Sequence, residues 1–121
     1  MGGVEWLVDA HGCDPERLRD RVSLQSLFDA VVAGLDLHPI GDAAWHQFPV
    51  TRGLTGLWML KESHLAIHTF PEHASACINL FCCRPRPEWP WEERLTALLG
   101  ATLVEVRSIE RSYAPAARSR P

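Results

Sequence analysis

A chain of 121 residues, 46% of them hydrophobic, has the size of one compact domain, with a single core but little room for an enclosed active site, so partner copies are expected. Its net charge of -3 lacks the basic excess with which proteins grip nucleic acid or an anionic membrane. No apolar run approaches the roughly 20 residues that span a bilayer, acidic Glu5 and Asp9 argue against an export signal, and Cys13, Cys77, Cys82 and Cys83 are too few for a secreted disulfide framework, so a cytoplasmic chain with reduced thiols is expected.

Residues 4–9 predict a short strand, ended by the turn chemistry of Gly12-Cys13-Asp14-Pro15 and followed by a connecting loop. From Ser23 onward, apolar residues recur at Leu24, Leu27, Phe28, Val31, Val32 and Leu35, the stripe of an amphipathic helix that covers a sheet. Gly34 and Gly41 punctuate its exit. Residues 42–48 and 54–61 then predict two strands paired as a hairpin through a turn at 49–53. Residues 64–69 and 74–83 predict two more, separated by Pro71 and Glu72. In the second of these, Ile78, Leu80 and Cys82 share one face, and Cys77, Asn79, Phe81 and Cys83 the other. Beyond a Pro-rich stretch, a second helix opens at Pro90 with Glu92 and Glu93 beside its positive end. Trp91, Leu95, Leu98 and Leu99 form its buried stripe, and Gly100 stops it.

Residues 102–109 predict a last strand, and 112–121 a disordered tail, leaving one domain over 1–111. This order predicts an α+β fold: a two-layer α/β sandwich with a mostly antiparallel sheet and two helices on one face. The other sheet face is left for a second chain or for a site.

The densest chemistry lies in Lys61-Glu62-Ser63-His64-Leu65-Ala66-Ile67-His68-Thr69-Phe70-Pro71-Glu72, where a hydroxyl, two imidazoles and two carboxylates share a short span. Residue types alone leave two readings open: hydrogen-bonded strand histidines beside a turn serine, or a catalytic cluster. A third, non-catalytic reading collects His64, His68, Cys77, Cys82 and Cys83 into a zinc or redox site. Against it, histidines four apart share a metal on a helix, whereas Ile67, Thr69 and Pro71 favour extended chain, and no Cys-x-x-Cys is present. No metal is expected.

Several motifs in order carry a resemblance: Asp9-Ala10-His11-Gly12-Cys13, His46-Gln47-Phe48 leading to Gly53-Leu54-Thr55-Gly56, Glu62-Ser63-His64, Ile67-His68-Thr69-Phe70-Pro71-Glu72, and Phe81-Cys82-Cys83. From Asp9 to about Glu110 the chain resembles the short prokaryotic S-adenosylmethionine decarboxylases, pyruvoyl enzymes made as self-cleaving proenzymes for polyamine (spermidine) biosynthesis. The resemblance implies cleavage between Glu62 and Ser63, with Ser63 converted into a covalent pyruvoyl cofactor that forms the Schiff base with substrate. It implies His68 as the processing base and Cys83 as the proton donor in turnover, with Cys82 structural. Imidazole suits the first task because its ordinary pKa lies near 6.5, and a thiol suits the second. Thr55 stands where the family usually carries a serine that assists processing. Phe48, Thr55, Phe70 and Glu72 are the candidate substrate-binding residues, and a homodimer of cleaved protomers with sites near its interface is expected.

Strand alternation sets Ser63 and His68, five apart, on opposite faces, so a bend or bulge near Ser63 is expected to bring them together. Phe70 replaces a usual tryptophan and Ala66 a usual serine. Asn79 stands where the family generally has an acidic residue, and Arg84 where it has glycine, which opens a second substrate reading as a pyruvoyl-dependent ornithine or arginine decarboxylase. The presence of Ser63, His68 and Cys83 argues against a processing-dead regulatory subunit.

Overall fold

The computed structural model describes residues 2–115. Six strands, β1 (Gly2–His11), β2 (Ala44–Gln47), β3 (Leu54–Leu60), β4 (Ser63–Phe70), β5 (Ser75–Cys82) and β6 (Leu103–Ser112), form one sheet. Its order is β2-β3-β4-β5-β1-β6, and every neighbouring pair is antiparallel. Helices α1 (Pro15–Leu18), α2 (Arg21–Gly34) and α3 (Trp91–Leu99) complete the fold.

Alternation along the strands assigns the faces. Val8, Ala10, Leu65, Ile67, Ile78 and Leu80 are buried, and they join Leu24, Leu27, Phe28, Val31, Leu95 and Leu99 from the helices in one core. The opposite face is open, with Leu57, Met59, Phe70 and Ile109 all exposed. No helix among the described residues is long and apolar enough to cross a membrane.

Local rules account for the helix ends. Asp20 caps α2 by accepting from the Val22 N–H at 3.3 Å and the Ser23 hydroxyl at 2.7 Å. Gly100, with φ of 71°, closes α3 in the left-handed conformation that glycine adopts without penalty. Where a loop was expected after Gly12, the four-residue α1 forms instead: Pro15 opens it, and the Asp14 carboxylate accepts from the Glu16 N–H at 3.0 Å. One turn is too short to show an apolar period.

The tail expectation also needs correction at its start. Ser112 pairs with Gly2 in β6, and the Tyr113 hydroxyl donates to the Cys83 carbonyl at 2.6 Å; residues 116–121 lie outside the described residues. Gly56 is required by contact, since a Cβ there would run into the Trp45 ring.

Among the described residues, Thr69 is the one polar side chain in the core, 2% exposed. Its hydroxyl donates to the Leu18 carbonyl at 2.8 Å and accepts from the Leu54 N–H at 2.8 Å, so one atom joins α1 and β3 to β4. Thr69→Val keeps the shape but leaves two buried backbone groups unpaired. The expected loss is about 2 kcal/mol of unfolding free energy, read as a lower urea midpoint with unchanged m; an unchanged midpoint would contradict the assignment.

Candidate active site

The β3–β4 hairpin turns on two residues, Lys61 and Glu62, because Leu60 pairs directly with Ser63. Two-residue hairpins match strand twist best when the turn residues take positive φ, and neither of these does. The turn is held from outside instead. The Lys61 N–H donates to the His38 carbonyl at 2.7 Å, and the Cys83 N–H donates to the Glu62 carbonyl at 2.7 Å. Arg84 Nε stands 3.0 Å from the Glu62 carboxylate. A backbone N–H on a carbonyl oxygen stabilises negative charge that develops there when a nucleophile adds to the carbon. The hydroxyl of the next residue, Ser63, is the nearest nucleophile in sequence.

Ser63 pairs with Cys82 across β5, and its neighbour Cys83 lies just past the strand end. The two cysteines face opposite ways. Cys82 is buried, and burial pushes its thiol up to about 11, the condition of an inert core thiol. Cys83 is exposed and lines a groove on the open face with Glu5, Ser63, His64, Phe81 and Arg111. Burial likewise pushes the Cys13 thiol up to about 11, and all four cysteines are free thiols.

The expected bend near Ser63 is absent. β4 runs in regular register from Ser63 to His68 against β3, and from Ser63 to Phe70 against β5, so Ser63 and His68 remain on opposite faces. Five residues of strand set them roughly 16 Å apart. His68 instead meets Thr55, its cross-strand partner, with Nδ1 and Oγ1 hydrogen-bonded at 3.1 Å. Phe70 and Glu72 follow at this end of β4, where Phe48 also lies through its N–H bond to the Gly53 carbonyl at the start of β3. The candidates therefore form two groups at opposite ends of the sheet: Glu62, Ser63 and Cys83 at one, and Phe48, Thr55, His68, Phe70 and Glu72 at the other.

Asn79 proves to be part of a network. Its amide donates to Glu5 at 2.8 Å, a carboxylate that can only accept. Its carbonyl oxygen is thus left to accept from His64 Nε2, 3.1 Å away. Arg111 completes the chain with a 2.6 Å bond to the other Glu5 oxygen. The bond from Asn79, then that from Arg111, holds the Glu5 carboxyl below its ordinary value. His64 also stacks on Phe81, with ring centroids 5.7 Å apart. Glu5, Arg111 and Tyr113 were not singled out from the sequence. The signal for the first two was present: Glu5 and Asp9 share one face of the first strand, Arg107 and Arg111 one face of the last, and both pairs form, at 2.6 and 2.7 Å. Among the described residues no three His, Cys, Asp or Glu side chains gather as metal ligands.

An antiparallel sheet backed by helices on one face, with a hydroxyl-bearing hairpin at its end, defines an α+β class shared with a solved structure. That structure, the adenosylmethionine decarboxylase from Aquifex aeolicus, is 25% identical, with a TM-score of 0.74 and 98% of each chain covered. Residues 4–112 match the S-adenosylmethionine decarboxylase family, and the chain belongs to that family. S-adenosylmethionine decarboxylase proenzyme 2 of Halalkalibacterium halodurans is 31% identical across 98% of this chain and 93% of its own. The S-adenosylmethionine decarboxylase proenzyme of Moorella thermoacetica is 33% identical across 90% and 86%.

The Asn79 bridge yields a pH signature. Asn79→Asp removes the donor to Glu5 and sets two carboxylates side by side, which raises the folded-state pKa of one of them above its unfolded value. Such a group destabilises the fold where it must ionise, so the variant is expected to melt well below wild type at pH 8 and to recover toward it at pH 5. Thermal melts across that range check this; equal gaps at both pH values would contradict the network.

Proposed function

We propose that the chain is a carboxy-lyase acting on S-adenosylmethionine to supply the aminopropyl donor for spermidine synthesis, and that it first cuts its own backbone between Glu62 and Ser63. Membership of the S-adenosylmethionine decarboxylase family supports the activity. The observation that carries the cleavage is the bond from the Cys83 N–H to the Glu62 carbonyl at 2.7 Å, on the carbon that the Ser63 hydroxyl attacks. In this reading the attack breaks the Glu62–Ser63 amide and leaves an ester on the serine oxygen. A base then takes the α-proton of residue 63, the Glu62 carboxylate departs, and the dehydroalanine left behind hydrolyses to a ketone with release of ammonia. The products are fragments 1–62 and 63–121, which stay together because the β3–β4 and β4–β5 ladders and the shared core span the cut.

The residues around Ser63 fit a pyruvoyl group: the serine begins a strand beside an open groove, with its main chain on the β5 ladder. When formed, that group supplies an electron sink for the pair released as carbon dioxide leaves. Cys83 returns a proton to the substrate carbon from the same groove, where its thiol is exposed. The carboxylates of Glu5 and Glu72 and the rings of Phe48 and Phe70 suit a sulfonium cation that carries a flat base. Glu5 standing directly behind Asn79 keeps a carboxylate at the groove, so Asn79 does not by itself argue for ornithine or arginine.

The processing base has to come from elsewhere than the same sheet end. A two-fold dimer formed through the open faces sets the far-end group of one subunit against the Ser63 end of the other, and symmetry makes two equivalent sites. Exposed Leu57, Met59, Phe70 and Ile109 give that face apolar area to bury. In this arrangement His68 of the partner subunit is the base for α-proton removal, with its ring set by the Thr55 hydroxyl. The chain works as such a homodimer in the cytoplasm, consistent with its free thiols.

His68→Ala is expected to accumulate uncleaved or ester-stalled chain, whereas Cys83→Ala still cleaves but loses most carbon dioxide release from S-adenosylmethionine. Release from ornithine or arginine alone would move the substrate assignment to those amino acids, and full turnover by Cys83→Ala would remove its role. Co-expressing Ser63→Ala with His68→Ala chains tests the arrangement: the His68→Ala chain should be cleaved in the mixed dimer. A mixture that stays whole while wild type cleaves, or an active sample that scatters light as a monomer, would contradict base supply across the dimer.

A further inference from the structure

Three bonds hold the Lys61–Glu62 turn from outside, and only one of them uses a side chain: Arg84 Nε to the Glu62 carboxylate at 3.0 Å. Cys83 and Arg84 are consecutive, so one short segment grips Glu62 twice, its carbonyl through the Cys83 N–H and its side chain through the guanidinium. That segment is itself anchored on both sides. Cys82 is in register with Ser63 immediately before it, and the Tyr113 hydroxyl donates to the Cys83 carbonyl at 2.6 Å. Lys61, Arg86 and His38 line the same small cleft as Glu62 and Arg84, yet among the described residues the ion pair of Glu62 is with Arg84.

Resting on the cleavage reading, we propose that Arg84 is a positioning residue for self-cleavage: by holding the Glu62 side chain it keeps the scissile carbonyl on the Cys83 N–H. The turn has no positive-φ residue of its own to fix it, so its rotation is restrained from outside, and the carboxylate tether removes one freedom that would let the carbonyl swing away. Glycine, the residue the family resemblance sets at this position, has no side chain with which to do this. The pair is well exposed, with side chains 68% and 39% accessible. Its contribution is therefore modest and screened by salt, about a two- to five-fold effect on rate.

The test is the first-order conversion of freshly folded full-length precursor to its two fragments, followed by intact mass, at low salt and at high salt. Arg84→Ala is expected to slow cleavage about two- to five-fold at low salt, Arg84→Lys to retain most of the wild-type rate, and Glu62→Gln to slow it as Arg84→Ala does. The double variant Arg84→Ala with Glu62→Gln should be no slower than either single one, because both remove the same interaction. High salt should bring wild type toward Arg84→Ala. Matching melting temperatures separate these effects from misfolding, since Arg84 is exposed and its loss leaves the core intact. Cleavage of Arg84→Ala at the wild-type rate, or slowing that multiplies in the double variant, would overturn the role while leaving the cleavage reading in place. A wild-type chain that never cleaves would remove both together.

Discussion

The hydrogen bond from the Cys83 N–H to the Glu62 carbonyl is the constraint on which the arrangement of this protein turns. It is the next contact beyond the β4–β5 ladder, and it exists because that ladder ends in register at Ser63 opposite Cys82. A slip of one residue would exchange the faces of every side chain on the strand. Cys82 would then leave the core and Cys83 would enter it, the thiol beside the groove would be lost, and the donor on the Glu62 carbonyl would change. The register is strongly specified because Leu65, Ile67, Ile78 and Leu80 are all essentially buried. Ordinary core packing thus decides which peptide bond is polarised.

The same regularity divides the candidate residues. A strand without a bulge keeps Ser63 and His68 on opposite faces, and no rotamer of a histidine spans the roughly 16 Å between them. A chain of this length has one sheet with one covered face. Its uncovered face carries the Thr55–His68 pair at one end and the Cys83 groove at the other, together with the exposed side chains of Leu57, Met59, Phe70 and Ile109. In the proposed dimer, two-fold pairing would cover the apolar face and reunite the divided residues at once.

Much of the fold was legible in the amino-acid order. The 3.6-residue stripe from Leu24 to Leu35, the stop at Gly100, and the alternation of Ile78, Leu80 and Cys82 each reflect a local rule that the tertiary structure does not override. What escaped was either too short or too far apart in sequence. Helix α1 is a single turn, and its Asp14-Pro15 start also reads as a turn signal. The Arg111–Glu5 and Tyr113–Cys83 bonds join residues 106 and 30 positions apart, a pairing that becomes evident only once β6 lies beside β1. The candidate site was legible as a set of residues, through the family motifs, but not as a geometry. Spacing of five assigns faces, and only the continuous ladder reveals that no bulge rescues the pair.

Whether the backbone breaks itself between Glu62 and Ser63 is read from the intact mass of the purified, folded protein. Two masses are expected, one for residues 1–62 with a free carboxylate and one for residues 63–121 in which Ser63 has become a pyruvoyl group, having lost both its amine and its hydroxyl oxygen. The Ser63→Ala chain is expected to give a single full-length mass. A wild-type protein that folds, pairs as a dimer and still shows only the uncleaved mass would rule out self-cleavage at this bond.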